Sequence, residues 1–287
     1  MSALPLTAAP ASFPVPPLAL PGGLTLPTGR TAIMGILNVT PDSFSDGGRY
    51  TDVAAALGHA RQMVAAGADL IDVGGESTRP NSTRISADEE WGRICTIVEA
   101  LATEGVIVSV DTLHASTARE AACAGAAIIN DVSGGRWDPE MNAAVAESGC
   151  AYVVQHYRAL PGMPGEHFDY GDDLVGTLME RVGSQVQDAI DAGVTPDKIV
   201  IDPGLGFSLT GDQCWQILRE LPRFLQGGYP VLVGASRKRF VKALDGDVDA
   251  NSADIAAYCA AAGAWAVRVH DVAATAAAIA RKENDVD

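Results

Sequence analysis

Polar side chains follow each of eight short apolar runs, always at the same end of the run. In chain order these side chains are Asn38, Asp72, Asp111, Asn130, His156, Asp202, Lys238, and Arg268 with His270. A single Asp or Asn at such a position could equally cap a helix or form a turn. Eight polar groups at equivalent positions are better explained by one shared site.

The residue types indicate which ligand such a site would bind. Asp111, Asn130 and Asp202 offer hydrogen-bond acceptors, and a carboxylate can accept two parallel bonds from an amidine-like N–C–N edge. These groups therefore favour a planar nitrogen heterocycle. Positive side chains favour a phosphate or diphosphate on the same ligand, and they are Arg79, Lys238, Arg268 and His270.

Asn38 and two glycine-containing loops add to this prediction. The amide oxygen of Asn38 could complete the shell of Mg²⁺, which prefers hard oxygen ligands and usually keeps several waters. The loops, residues 38–48 and 74–80, follow the first two apolar runs. Loops of this kind often close over a substrate, although ordinary surface turns are the alternative.

The eight apolar runs predict β-strands at residues 32–37, 69–73, 106–110, 127–129, 151–155, 198–201, 230–233 and 266–269. Helical patterns separate them, with apolar residues three or four apart, as at Trp91, Ile94 and Val98. Eight alternating units in about 255 residues predict a (β/α)8 TIM barrel over residues 31–287. An open doubly wound sheet is the alternative, but no GxGxxG turn follows the first strand.

The composition argues against some classes of binding partner. The chain has 36 Asp and Glu against 20 Lys and Arg, a net charge of −16, which argues against binding nucleic acid or anionic membranes. No apolar run approaches the ~18 residues of a membrane span. Five scattered cysteines predict reduced thiols and a cytoplasmic protein. Residues 1–30 are rich in proline, and we expect them to form a flexible or surface-draped extension.

Seven segments together resemble the dihydropteroate synthase family of folate biosynthesis. The SRKRF form of the segment after the seventh strand resembles the actinobacterial branch of that family. The seven segments occur in the family's order and span residues 32–272. The segments are GILNVTPDSFSDGG (35–48), DVGGESTRP (72–80), SVDT (109–112), NDVSGG (130–135), DPGLGF (202–207), GASRKRF (234–240) and VRVHDV (267–272).

The resemblance implies a (β/α)8 barrel, a homodimer and a defined reaction. In that reaction 6-hydroxymethyl-7,8-dihydropterin diphosphate and 4-aminobenzoate form 7,8-dihydropteroate and diphosphate. It requires Mg²⁺ and is inhibited by sulfonamides. The implied pterin and diphosphate residues are Thr78, Asp111, Asn130, Asp202, Lys238, Arg268 and His270. Asn38 would bind Mg²⁺, and the catalytic set would be Asn38, Asp46, Asp111 and Lys238.

The implied 4-aminobenzoate pocket departs from the family pattern at one position. Its members would be Phe44, Thr78, Arg79, Pro80, Phe207 and Arg239, and Arg239 replaces a serine found in many relatives. Gln155 also replaces an expected methionine beside the pterin. Two alternatives stay open: a non-catalytic pterin-binding paralogue, and a barrel that transfers a methyl group from a folate to a corrinoid.

Overall fold

Eight parallel strands form a closed barrel in the computed structural model, which describes residues 5–6, 11–39, 49–77 and 82–284. The strands are β1 (Ala32–Asn38), β2 (Leu70–Gly74), β3 (Val108–Asp111), β4 (Ile128–Asp131), β5 (Ala151–Gln155), β6 (Ile199–Asp202), β7 (Leu232–Val233) and β8 (Ala266–Val269). Their order is β6-β5-β4-β3-β2-β1-β8-β7, and a parallel bridge from Ile201 to Val231 joins the ends. The TIM-barrel prediction is confirmed, and the open sheet is excluded.

Helices surround this barrel. Within the described residues they are α1 (Arg49–Ala65), α2 (Ala87–Thr103), α3 (Ala115–Cys123), α4 (Met141–Ser148), α5 (Leu174–Asp191), α6 (Gly211–Arg219), α7 (Leu221–Leu225), α8 (Arg239–Lys242), α9 (Val248–Ala262) and α10 (Val272–Asn284). Ile94 and Val98 of α2 are fully buried, so the predicted apolar face packs on the barrel. Glycines in the left-handed conformation end two of these helices: Gly149 ends α4 with φ 70° and Gly263 ends α9 with φ 98°.

Each strand has two buried faces because alternate side chains point into the barrel and out toward the helices. In β3, Val108 and Val110 pack in the outer core, whereas Ser109 and Asp111 face the interior. The N-terminal half of the interior is apolar, and its large side chains include Met34, Leu70, Ile128, Val153 and Val200. The polar residues of the strands therefore meet at the C-terminal half of the interior.

Residues 13–26 lie across the N-terminal end of the barrel. Val15, Leu18 and Leu20 pack against the apolar interior layer. The backbone N–H of Phe13 donates to the Ala262 carbonyl at 2.9 Å. This segment is therefore draped on the barrel, where its apolar side chains cover residues that would otherwise meet water.

Gly263→Ala tests whether this N-terminal segment is docked. A Cβ at Gly263 would collide with the Phe13 backbone, and a positive φ adds strain. We expect a loss of about 2–3 kcal/mol in unfolding free energy, measured as a drop in Tm. Gly246→Ala is the matched control, since Gly246 has φ 93° but no atom within 4 Å of the added Cβ. Equal Tm losses for the two variants would contradict docking at Phe13.

Candidate active site

An ion pair inside the barrel connects three strands. Arg268, on β8, donates from Nε to Asp72 Oδ2 at 2.6 Å and from a terminal nitrogen to Asp111 Oδ2 at 2.8 Å. Asp72 is fully buried and also accepts hydrogen bonds from Ser109 Oγ at 2.6 Å and Asn130 Nδ2 at 3.1 Å. Asp72 is thus saturated by partners within the protein, whereas Asp111 lies higher, at the end of its strand.

The strand register places three predicted site residues at one level. Asn38 pairs with Gly74, Gly74 with Asp111, and Asp111 with Asn130. Gly74 keeps this level open, because a Cβ there would lie 3.5 Å from the Asp111 Cβ and 3.9 Å from Asn38 Oδ1. Asn130 uses its amide nitrogen on Asp72, which leaves its carbonyl oxygen as an acceptor for a ligand.

Asp202 and Lys238 form the opposite part of the same rim. Asp202 is buried and accepts a hydrogen bond from the Gly204 N–H at 2.7 Å. The Lys238 ammonium donates to the Leu205 carbonyl and lies 5.0 Å from the centre of the Phe207 ring. A Cβ at Gly234 would sit 3.9 Å from Lys238 Nζ and 3.8 Å from the Arg268 Cβ, so lysine and arginine border one space.

His270 completes the positive side of the rim. Its Nδ1 lies 3.0 Å from the hydroxyl of the buried Ser236, which also accepts a hydrogen bond from the His270 backbone N–H at 3.2 Å. Ser236 follows β7 and His270 follows β8, so the serine fixes the imidazole between two strand ends.

Burial shifts the ionisation of the central groups. Burial raises the pKa of Asp111 to about 7, with Arg268 opposing the shift and Asp72 adding to it. Burial also lowers the pKa of Lys238 to about 8, although Asp202 partly restores it. The pKa of Asp202 is raised by burial, with Lys238 opposing. Perturbed groups of both signs around one cavity are typical of active sites.

The second predicted loop is anchored on both sides. Glu76 accepts a hydrogen bond from the Ile85 N–H at 3.0 Å and pairs with Arg84 at 3.3 Å. Arg84 also donates to the Ser77 carbonyl. These contacts tie residues 76–77 to residues 84–85. The predicted site residues between them, Thr78, Arg79 and Pro80, lie outside the described residues, as do Phe44 and Asp46 of the first loop.

Three further positions considered from the sequence have clear locations. Gln155 is buried and donates from Nε2 to the Val132 carbonyl at 3.1 Å, so its amide is engaged. His156 is fully buried on the outer side of the barrel wall, 5.6 Å from the Tyr170 ring, and does not face the cavity. Arg239 is exposed at the start of α8, directly after Lys238.

The Asn38 amide oxygen is one group that could hold a cation at this rim. Asn38 is half-buried, and its Oδ1 faces the same space as the Asp111 carboxylate. Among the described residues, no three His, Cys, Asp or Glu side chains gather into a metal cage. A hard cation here would therefore rely on Asn38, waters and oxygens of a bound ligand, which is the arrangement typical of Mg²⁺ with phosphates.

The sequence did not identify the supporting groups. Ser109 and Ser236 are ordinary strand and turn residues in the sequence, and their roles depend on neighbours far along the chain. The sequence placed Asp72 among the groups of the shared site, but its contacts are with Arg268, Ser109 and Asn130. No helix in the described part of the chain combines the length and hydropathy needed to cross a membrane.

Comparison with known proteins agrees with this geometry. The family model described as "Pterin binding enzyme" matches residues 34–270. The chain is 47% identical over 258 residues to the dihydropteroate synthase of Mycobacterium leprae, covering 86% of this chain and 90% of that one.

Solved structures give the same result. A Xanthomonas albilineans dihydropteroate synthase with 4-aminobenzoic acid superposes with a TM-score of 0.85 at 39% identity, covering 95% of this chain and 98% of that one. A Yersinia pestis dihydropteroate synthase with a sulfonamide drug gives 0.84 at 38% identity, covering 94% and 99%. The chain therefore belongs to the pterin-binding enzymes and, within them, to the dihydropteroate synthase family.

Proposed function

We propose that this chain condenses 6-hydroxymethyl-7,8-dihydropterin diphosphate with 4-aminobenzoate to give 7,8-dihydropteroate and diphosphate, a transferase step of folate biosynthesis. One observation carries the proposal: acceptors that suit a pterin and cations that suit a diphosphate lie close together at the C-terminal ends of the barrel strands. Membership of the dihydropteroate synthase family supports it.

Pterin recognition falls to four side chains. Asp111, Asn130 and Asp202 present buried acceptors to the N–H groups of the heterocycle, and Lys238 presents donors to its acceptor atoms. Asp111 has a second role, because its carboxylate can stabilise positive charge that develops on the pterin methylene. The apolar stem of Lys238 and the Phe207 ring add a flat surface beside the heterocycle.

The leaving diphosphate is assigned to Arg268 and His270. Arg268 has one fixed orientation because Asp72 holds its Nε, and Ser236 fixes the imidazole of His270. Both groups can therefore stabilise the charge that grows on the diphosphate oxygen as the C–O bond breaks. Asn38 would hold Mg²⁺ against the diphosphate oxygens, and the ion when bound would add Lewis-acid stabilisation of the leaving group.

We propose a dissociative, SN1-like order. The C–O bond to diphosphate breaks first, and the electron pair leaves with the diphosphate. The neutral amine of 4-aminobenzoate then attacks the methylene cation and loses a proton. An aromatic amine is unprotonated near pH 7, so this step needs no strong general base.

The 4-aminobenzoate pocket is assigned to the two loops and to the residues beside Lys238. Its proposed members are Phe44, Thr78, Arg79, Pro80, Phe207 and Arg239, with Asp46 covering the reacting atoms. Exposed Arg239 follows Lys238 directly and can offer its guanidinium to the carboxylate where a serine is lacking. Sulfonamides, which mimic the shape and charge of 4-aminobenzoate, should compete for the same pocket.

Three further assignments belong to this proposal. Mg²⁺ is the required ion, the assembly is a homodimer through outer helices, and the protein is cytoplasmic. The cytoplasmic assignment is supported by the five cysteines, all of which are free thiols, with Cys150, Cys214 and Cys259 buried.

Diphosphate release with and without 4-aminobenzoate tests the function and its order. We expect continuous release when both substrates and Mg²⁺ are present. When 4-aminobenzoate is omitted, we expect no turnover and at most one equivalent of cleaved diphosphate per enzyme, retained beside the pterin cation and detected after quenching. No release with both substrates would favour the non-catalytic alternative. A strict requirement for 4-aminobenzoate before any C–O cleavage would contradict the dissociative order.

Asp111→Asn and Asp72→Asn should separate catalysis from folding. Asp111→Asn should lower kcat/KM at least about 100-fold. Its Tm at pH 8 should not fall. Because the pKa of Asp111 is raised in the folded state, ionisation of this carboxyl lowers the stability of the parent as pH rises from about 4 to about 7, and the neutral asparagine avoids that loss. Asp72→Asn replaces an acceptor of three hydrogen bonds and should cost about 3 kcal/mol or more of stability. Near-normal kcat/KM in Asp111→Asn would refute its assignment.

The pH profile of kcat/KM should be bell-shaped. Activity should fall below about pH 7 as Asp111 takes up a proton, and above about pH 8 as the Lys238 ammonium loses one. Initial rates at subsaturating pterin diphosphate between pH 6 and 9.5 would measure both limbs. Lys238→Arg is the control, because arginine stays protonated and its residual activity should lose the alkaline limb. A flat profile in the parent chain would contradict these ionisations.

A further inference from the structure

A second cavity lies outside the barrel wall, behind the C-terminal ends of β4 and β5. It has a volume of about 360 Å³, and we call it the arginine pocket. Its lining residues come from the loops after both strands and from α5, and they are Arg136, Tyr157, Arg158, Arg181, Ser184 and Gln185. No role in the proposed reaction has been assigned to any of them.

The charge of the arginine pocket is unbalanced. Arg136 pairs with Asp188 at 2.5 Å, but in the described part of the chain no carboxylate oxygen lies within 4.0 Å of a side-chain nitrogen of Arg158 or Arg181. Arg181 instead donates to the Tyr157 carbonyl at 3.3 Å. Arg158 donates to the Asp169 carbonyl at 2.8 Å. Three guanidinium groups therefore face one carboxylate, in a chain whose net charge is −16.

Buried polar atoms of two pocket arginines and of His156, the residue before Tyr157, also lack partners within the part of the chain that is described. The Nε atoms of Arg158 and Arg181 are buried and find no acceptor among the described residues, and the same holds for both ring nitrogens of His156. Burial, aided by the positive charges of Arg181 and Arg158, lowers the pKa of His156 to about 3. Three guanidinium groups beside one carboxylate favour an anionic, acceptor-rich ligand in the pocket.

We propose that the arginine pocket is a binding site for a phosphate-class oxyanion, either free phosphate or the phosphate group of a metabolite. Guanidinium forks bind such oxygens in pairs, and the three arginines that line the pocket supply these donors. The Ser184 hydroxyl and the Tyr157 side chain line the remaining volume, which exceeds that of phosphate alone. The proposal does not depend on the reaction assigned to the barrel cavity.

The arginine pocket is separate from the proposed diphosphate site. The wall between them is held by Gln185, whose Nε2 donates to the Gln155 carbonyl at 2.8 Å and to the Ser133 carbonyl at 3.1 Å. The Gln155 side chain faces the barrel interior, whereas Gln185 reaches the wall from α5 outside. Phosphate at Arg268 and phosphate at Arg181 would therefore occupy opposite sides of β5.

Equilibrium dialysis with radiolabelled inorganic phosphate tests this site. The variants are Arg158→Gln and Arg181→Gln, each compared with the parent chain. The control is Arg119→Gln, which removes a surface arginine paired with Glu140 and Glu147 outside the pocket. We expect the affinity of one phosphate site to fall at least tenfold in each pocket variant, so that one phosphate fewer is bound at concentrations that fill the site in the parent. Arg119→Gln should bind phosphate as the parent does.

A selenate soak locates the anion, and competition identifies its source. An anomalous peak between Arg136, Arg158 and Arg181 supports the proposal, whereas peaks only beside Arg268 and His270 overturn it. Unchanged dialysis stoichiometry in Arg158→Gln and Arg181→Gln also overturns it. Displacement of phosphate by lower concentrations of ribose 5-phosphate would indicate a phosphorylated metabolite, and equal or weaker displacement would indicate free phosphate. If circular dichroism shows that either variant does not fold, Arg136→Gln replaces it, because the Arg136 side chain is exposed. This substitution should weaken phosphate binding in the arginine pocket several-fold.

Discussion

The ion pair between Arg268 and Asp72 is the constraint on which the site depends. Two charges inside a barrel are costly to desolvate, and the cost is offset only when every lone pair and proton finds a partner. Asp72 meets this condition through Arg268, Ser109 and Asn130. Because these partners come from β3, β4 and β8, the orientation of the Arg268 guanidinium is fixed when the barrel closes.

The saturation of Asp72 explains why its neighbours remain available to a ligand. Asp111 shares Arg268 but lies at the end of β3, where its carboxylate faces the cavity. Asn130 commits its nitrogen to Asp72 and keeps its oxygen. Asp72, which lies lower in the barrel and is fully paired, stabilises the fold. Asp111 and Asn130, which lie above it, keep free hydrogen-bonding capacity. This division is what preorganised binding of a polar heterocycle requires.

The sequence predicted the barrel well because its strands are short, apolar and regularly spaced. Each predicted strand overlaps an observed one, and residues such as Asn38, Asp111 and Asp202 prove to be the last residue of their strand. The convergence of Asp111, Asn130, Asp202, Lys238, Arg268 and His270 followed from that topology. The pairing of Asp72 with Arg268 could not be predicted, since 196 positions separate them and the inward direction of each side chain depends on register. The sequence allowed residues 1–30 to be draped on the surface, but proline-rich sequence without helical or strand periodicity gives no sign of what residues 13–26 cover. The arginine pocket depends on three residues from three elements, and no local motif marks it.

A structure with bound pterin diphosphate would test the central claim, which is that one cavity holds both ends of this ligand. We predict the pterin ring within hydrogen-bond distance of Asp111, Asn130 and Asp202, and the diphosphate against Arg268 and His270, with the bond between Arg268 and Asp72 unbroken. A complex in which the diphosphate points away from Arg268, or in which the ring contacts none of the three acceptors, would contradict the account.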